Sequence, residues 1–200
     1  MTTTISHIFD SHRRACAAVT ALEQAGVPAH DISIAVSKGT VAPYHEPDHD
    51  VGTAAGASVG ATLGGGTGLL AALGVVAIPG LGPVIAAGWV AAMAAGAVTG
   101  ATAGAIVGGL VDVLRQAGES EEDAHVYTEA VRRGSTLLVL RIDDTRVDEA
   151  RAIIARFDPV DAVSRSREYR AQGWNGFDAQ AAPYRLTPAE MDRIRAETRD

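Results

Sequence analysis

Between Val51 and Val111 the chain carries no Asp, Glu, Lys, Arg or His. Within this run glycine returns every fourth residue, at Gly52, Gly56, Gly60, Gly64 and Gly68. After Ile78-Pro79-Gly80-Leu81-Gly82-Pro83 the beat resumes at Gly88, Ala92, Gly96, Gly100, Gly104 and Gly108. A spacing of four puts these positions along one face of a helix. Glycine inside a helix costs about 1 kcal/mol relative to alanine, so close backbone packing must offset it, as in small-xxx-small seams. The pattern predicts two long helices, about 51–77 and 84–117, folded back as a hairpin. Pro79 and Pro83 fix the turn, because proline lacks an N–H and disfavours helix at the residue before it. Val59, Leu63, Leu70 and Leu73 fill the rest of the first helix, and Val90, Met93, Val98, Ile106, Val107 and Leu110 the second. A hairpin apolar all round belongs in a bilayer or inside an oligomer.

The charge therefore sits in the flanks. A net charge of −7 argues against a nucleic-acid partner. The single Cys16 allows no internal disulfide and fits a reducing compartment; the simplest reading makes it a small buried hydrophobe on the first helix. No basic region followed by an apolar one opens the chain, so no signal peptide is expected.

The first flank reads strand–helix–strand. Thr3–Phe9 is rich in β-branched and aromatic residues. Asp10 or Ser11 caps a helix whose inner face is Ala15, Val19 and Leu22. Gly26 and Pro28 stop it, and Ile32, Ile34 and Val36 alternate as a strand. In the second flank, Ser120 with Asp123 forms a capping box for a helix through Arg133, with Ala124, Tyr127 and Val131 inward. Ser135–Ile142 is apolar enough to be central in a sheet. A helix with Val147, Ala150, Ile153, Ile154 and Phe157 inward follows, then a fourth strand at Ala162–Glu168. The two flanks together give the ferredoxin-like split βαβ order. The expected fold is thus α+β. Residues 1–49 and 119–168 form one ferredoxin-like sandwich, interrupted by the two-helix hairpin at 50–118 and followed by a C-terminal strap and short helix at 169–200.

Several stretches resemble a bacterial general stress protein family, that of the heat-induced stress protein YflT-like domain. They are Phe9-Asp10 after the opening strand, the helix end AGVP, DISIAVS (31–37), AIPGLGP (77–83) in the Gly/Ala hairpin, and EEDAHVYTEAVRRGSTLLVLR (121–141). The resemblance covers roughly residues 3–168. It implies induction under stress and no established catalytic activity. The tail GWNGFDAQAAPY (173–184) resembles that of related alphaproteobacterial-type proteins. Its Trp174, Phe177 and Tyr184 read as a strap packing on its own or a neighbouring subunit, with a docking peptide as the alternative.

Candidate chemistry is sparse. His45, Asp48 and His49 lie in an acidic loop able to offer ligands to a divalent metal. Pro47 prevents His45 and His49 from sharing a helix face, and a solvated loop is the simpler reading. Gly64 to Gly68 lacks the Lys-Ser/Thr of a phosphate loop. No nucleophile–base–acid set stands out, and neither catalytic residue nor cofactor is expected. The expected function is non-enzymatic: a stress-response protein that self-associates through the glycine-zipper hairpin. Its helix-packing residues are Gly52, Gly56, Gly60, Gly64, Gly68, Gly96, Gly100, Gly104 and Gly108. Its partner is itself, and its charged domain is cytoplasmic. Each helix exceeds the ~20 residues that span a bilayer, so association with the inner membrane is preferred. The alternative is a soluble scaffold or shell with the hairpins inside; a small-ligand binder using the sheet ranks third.

Overall fold

The computed structural model of the 200-residue chain describes residues 1–37, 74–78, 81–90, 92–93, 109–181, 184 and 187. Strand β1 (Thr2–Phe9) leads into helix α1 (His12–Gln24), a 3-10 turn (Ala29–Asp31) and β2 (Ile32–Ser37). Then come β3 (Gly74–Ile78), β4 (Gly82–Ala87), α2 (Leu110–Gln116) and α3 (Glu121–Arg132). β5 (Thr136–Asp143), a second 3-10 turn (Asp144–Arg146), α4 (Val147–Ala155) and α5 (Ala162–Ala171) follow. The strands form one sheet in the order β1-β5-β2-β4-β3, and every pairing is antiparallel. The fold is α+β.

The local signals explain the flanks. Ser11 Oγ accepts from Arg14 N–H and Ser120 Oγ from Asp123 N–H, so both N-caps form. Gly26 (φ 83°) and Gly134 (φ 98°) end α1 and α3 in the left-handed region. β5 lies between β1 and β2, with Leu140 opposite Ile5 and Ile32, and Leu138 opposite Ile34. Leu138, Leu140 and Ile142 face α1 and α4, in a core with Ile5, Phe9, Val19, Leu22 and Ile154. Leu137 and Val139 face the other way, into a core with Leu110, Leu114, Tyr127 and Val131 from α2 and α3. Both faces of the sheet are thus covered, which is why Leu137 to Leu140 carry no polar alternation.

Two expectations are corrected here. Residues 74–78 and 82–87 are strands, not the end of one long helix and the start of another. The Pro-Gly turn is real, but it joins a β-hairpin: Val76 lies opposite Val84, and Val84 opposite Ser37 of β2. The Val75-Val76 pair favours a strand, and pairing onto β2 decides between two weak local preferences. The hairpin region is therefore part of the sheet, and α2 packs into the same core. Gly88 belongs to this correction. It does not continue a helix face; it turns the chain at the end of β4 with φ 85°. A Cβ there would lie 2.2 Å from Ile32 O and 2.5 Å from Ser33 Oγ, so only glycine fits. Val90 N–H, two residues on, donates to Ser33 Oγ at 3.1 Å.

The second correction concerns Ala162–Glu168, which is helix α5 and not a fourth strand. Asp161 caps it, accepting from Ser164 N–H at 2.8 Å. Only Val160, just before it, pairs with the sheet, through one bridge to Ile8 on the outer side of β1.

The seam glycines at 52, 56, 60, 64, 68, 96, 100, 104 and 108 lie outside the described residues. Ser37, where β2 ends, is level with Val76 of β3, two strands away. The chain leaves and re-enters the sheet about 10 Å apart across it. Among the described residues, no helix is long and apolar enough to cross a membrane.

Candidate functional site

The densest set of charged side chains gathers where α3 ends. Residues 129, 132 and 133 share one face because i, i+3 and i+4 are neighbours on a helix. Glu129 has no exposed surface. Its carboxylate accepts from Arg132 Nε and Nη2 at 2.9 Å each, and from Arg133 Nε at 2.6 Å. Arg133 also donates to Gln172 Oε1, and its guanidinium lies 4.2 Å from the Tyr169 ring centre and 5.3 Å from that of Tyr184. A second ion pair flanks the first: Arg165 donates to Asp10 at 2.7 Å, and Ser135 Oγ donates to the same carboxylate at 3.1 Å. Burial pushes the Tyr169 phenol up to about 12, the nearby Arg165 and Arg133 opposing it.

This network ties α3, α5 and the segment after α5 together. Trp174 meets Tyr169 edge-on with ring centres 5.7 Å apart. Phe177 is buried, and its N–H donates to His125 Nδ1 at 2.9 Å. The strap thus packs on this chain's own helices. Each guanidinium faces a carboxylate or a ring, so the chemistry of the set is adhesion and not proton transfer.

A second row crosses the opposite face. His12 Nδ1 lies 3.3 Å from Thr136 Oγ1, and His12 Nε2 lies 3.5 Å from Cys16 Sγ, one helical turn on. Burial lowers the His12 pKa and pushes the Cys16 thiol up to about 11. Both groups are neutral at pH 7, so the thiol is not an activated nucleophile. On the far side, Glu119 accepts from Ser6 Oγ at 2.6 Å, and Tyr127 Oη donates to Ser6 O at 3.3 Å. Burial raises both the Glu119 carboxyl and the Tyr127 phenol, with Asp123 raising each further.

Among the described residues, open grooves mark the surface on both sides of the sheet. One, of about 620 Å³, runs between α1 and α4 over Ala17, Ala21, Ile153 and Phe157. The other, of about 490 Å³, is polar and lies beside Asp112, Arg115 and Glu119.

Of the candidate residues read from sequence, His45, Asp48 and His49 lie outside the described residues, as do the seam glycines. Among the described residues, no three His, Cys, Asp or Glu side chains come together as a metal-binding group. The Glu129 cluster escaped sequence reading, although its Glu-x-x-Arg-Arg spacing is a visible signal. What the spacing does not reveal is that α5 and the strap bury it. No protein-family model, curated protein or solved structure matches the chain.

Proposed function

We propose that this chain is a non-catalytic stress-response protein that self-associates through its glycine-rich arms, which carry no charge from Val51 onward. The frame carrying the arms is a ferredoxin-like split βαβ sandwich. The order Val160–β1–β5–β2 supports that frame, with one bridging residue standing in for its fourth strand. The resemblance carried by DISIAVS (31–37) and VRRGSTLLVLR (131–141) supports the stress-response assignment.

One observation carries the self-association reading: both arms begin and end on one sheet domain. The first arm, residues 38–73, has 36 residues, of which 51–73 carry no charge, and it connects β2 to β3, two strands of one sheet with β4 between them. To cross a bilayer and return takes roughly 40 apolar residues. The second arm, residues 94–108, is shorter still. Neither is long enough to cross twice, and a single crossing would put its two ends on opposite sides. An uncharged surface that does not span finds its partner in another such surface. β3 supports this as well. It is an edge strand of the described sheet, and Gly74-Val75-Val76-Ala77-Ile78 carries none of the charges that guard an edge.

A second reading, contact with one leaflet of the inner membrane, is favoured by the same lack of charge from 51 to 111. Fractionation with a carbonate wash, followed by size-exclusion chromatography with light scattering in the absence of detergent, separates the readings. We expect one discrete oligomer that carbonate strips from any membrane. A monomer without detergent removes the self-association reading, and retention after carbonate shows an integral protein.

A further inference from the structure

We propose that His12 and Cys16 form a bidentate site for a thiophilic divalent cation of the zinc class on the first turns of α1. The site is independent of the glycine-rich arms. Residues four apart on a helix project from the same face, and here their donor atoms converge: Cys16 Sγ stands 3.5 Å from His12 Nε2. A tetrahedral zinc ion, with bonds of about 2.3 Å to sulfur and about 2.0 Å to nitrogen, holds two such ligands about 3.5 Å apart. The spacing of the two donors is therefore already that of a tetrahedral chelate. A linear two-coordinate ion would force the donors about 4 Å apart or more.

The imidazole is also oriented from outside the pair. His12 Nδ1 lies 3.3 Å from Thr136 Oγ1 on β5. With Nδ1–H donating to that hydroxyl, the lone pair of Nε2 faces the sulfur. This is the outer hydrogen bond that metal-bound histidines characteristically make, and it fixes tautomer and ring angle together. Thr136 is fully buried at the start of β5, which is paired on both sides, so the support is rigid. His12 and Cys16 are each part-exposed, which leaves a path for the ion and room for water in its remaining positions. On binding, the thiol proton leaves to solvent and a metal–sulfur bond replaces the S–H bond.

Cobalt(II) added to the full-length protein is the probe, because a cobalt–thiolate bond has its own near-ultraviolet charge-transfer band. One equivalent should bring up that band, and zinc should abolish it by displacement. Cys16→Ser should lose the band. His12→Gln should weaken binding at least about tenfold, and Thr136→Val, which touches no metal, about tenfold. A His45→Gln/His49→Gln double variant should bind as the parent does, since the acidic loop is not part of the pair. Should a variant fold poorly, alkylation of Cys16 in the parent gives the same answer: one equivalent of zinc should protect the thiol. The proposal is overturned if no band or protection appears at one equivalent. It is equally overturned if His12→Gln binds like the parent, or if binding follows His45 and His49.

Discussion

Glu129 is a carboxylate without exposed surface, held by two guanidiniums that are themselves largely covered, at 15% and 14% exposure. Such a trio is weak evidence of net stability, since desolvation offsets the attraction. Breaking it is another matter, because two buried cations then lose their counterion. Glu129→Ala should cost roughly 3–5 kcal/mol, measured by urea unfolding; a loss below about 1 kcal/mol would show that water already reaches the pair. Gly88 is the opposite kind of residue, needed for what it lacks. Gly88→Ala sets a Cβ 2.2 Å from Ile32 O at a backbone angle of 85°. It should destabilise by about 3 kcal/mol. Gly26→Ala meets no neighbour within 4 Å and bears only the strain of φ 83°, so it should cost about 1 kcal/mol. Comparing their melting curves separates crowding from backbone strain.

Elements with a capping residue and a clear period were legible; those without were not. Ser11, Ser120, Gly26 and Gly134 marked α1 and α3 because each satisfies or frees a specific backbone group. β5 was legible as central because four apolar residues in a row leave no polar face. The β3–β4 hairpin was hidden by the glycine beat, which Gly74 and Gly82 fall outside but Gly88 resumes. In α5, Asp161 was a readable cap, but Val160 and Val163 drew the reading toward a strand. The His12–Cys16 spacing was visible, whereas Thr136 lies 124 residues away and only strand pairing brings it close. A pH dependence follows at this scale, from the start of the chain. Burial lowers the pKa of His7 on β1, helped by Arg151, and of His12 on α1. The unfolded chain therefore binds protons more readily than the folded one as pH falls through about 6.5. Stability is full above that value and declines below it. The urea midpoint should drop between pH 7.5 and 5.5, and drop less in His7→Gln/His12→Gln. Equal drops would mean that both imidazoles protonate freely in the folded state.

At the scale of the molecule, what counts is which parts can be removed. Residues 50–118 first read as a two-helix insertion into the sandwich. They contain β3, β4 and α2, and they contribute Val84, Leu110, Val113 and Leu114 to the core beneath α3. Buried side chains of this kind are worth about 1.5–3 kcal/mol each, against the roughly 5–15 kcal/mol that holds a domain together. Replacing the whole stretch by a linker should therefore leave an unfolded or aggregating chain, with the edge of β2 bared as well. The arms alone are different. Ser37 and Gly74 lie on parallel strands with β4 between them, so a Gly/Ser crossover loop of about a dozen residues is needed to bridge them. Swapping residues 39–72 for such a loop should keep the melting transition. If the arms are the contact surface, the same swap, combined with one for residues 94–107, should turn the oligomer into a monomer by light scattering. A shortened chain that melts normally yet still assembles would move the contact to the β3 edge. Charging that edge, with Val76→Lys, would then be the change that separates the copies, because a lysine on an outer strand opposes pairing with a second sheet.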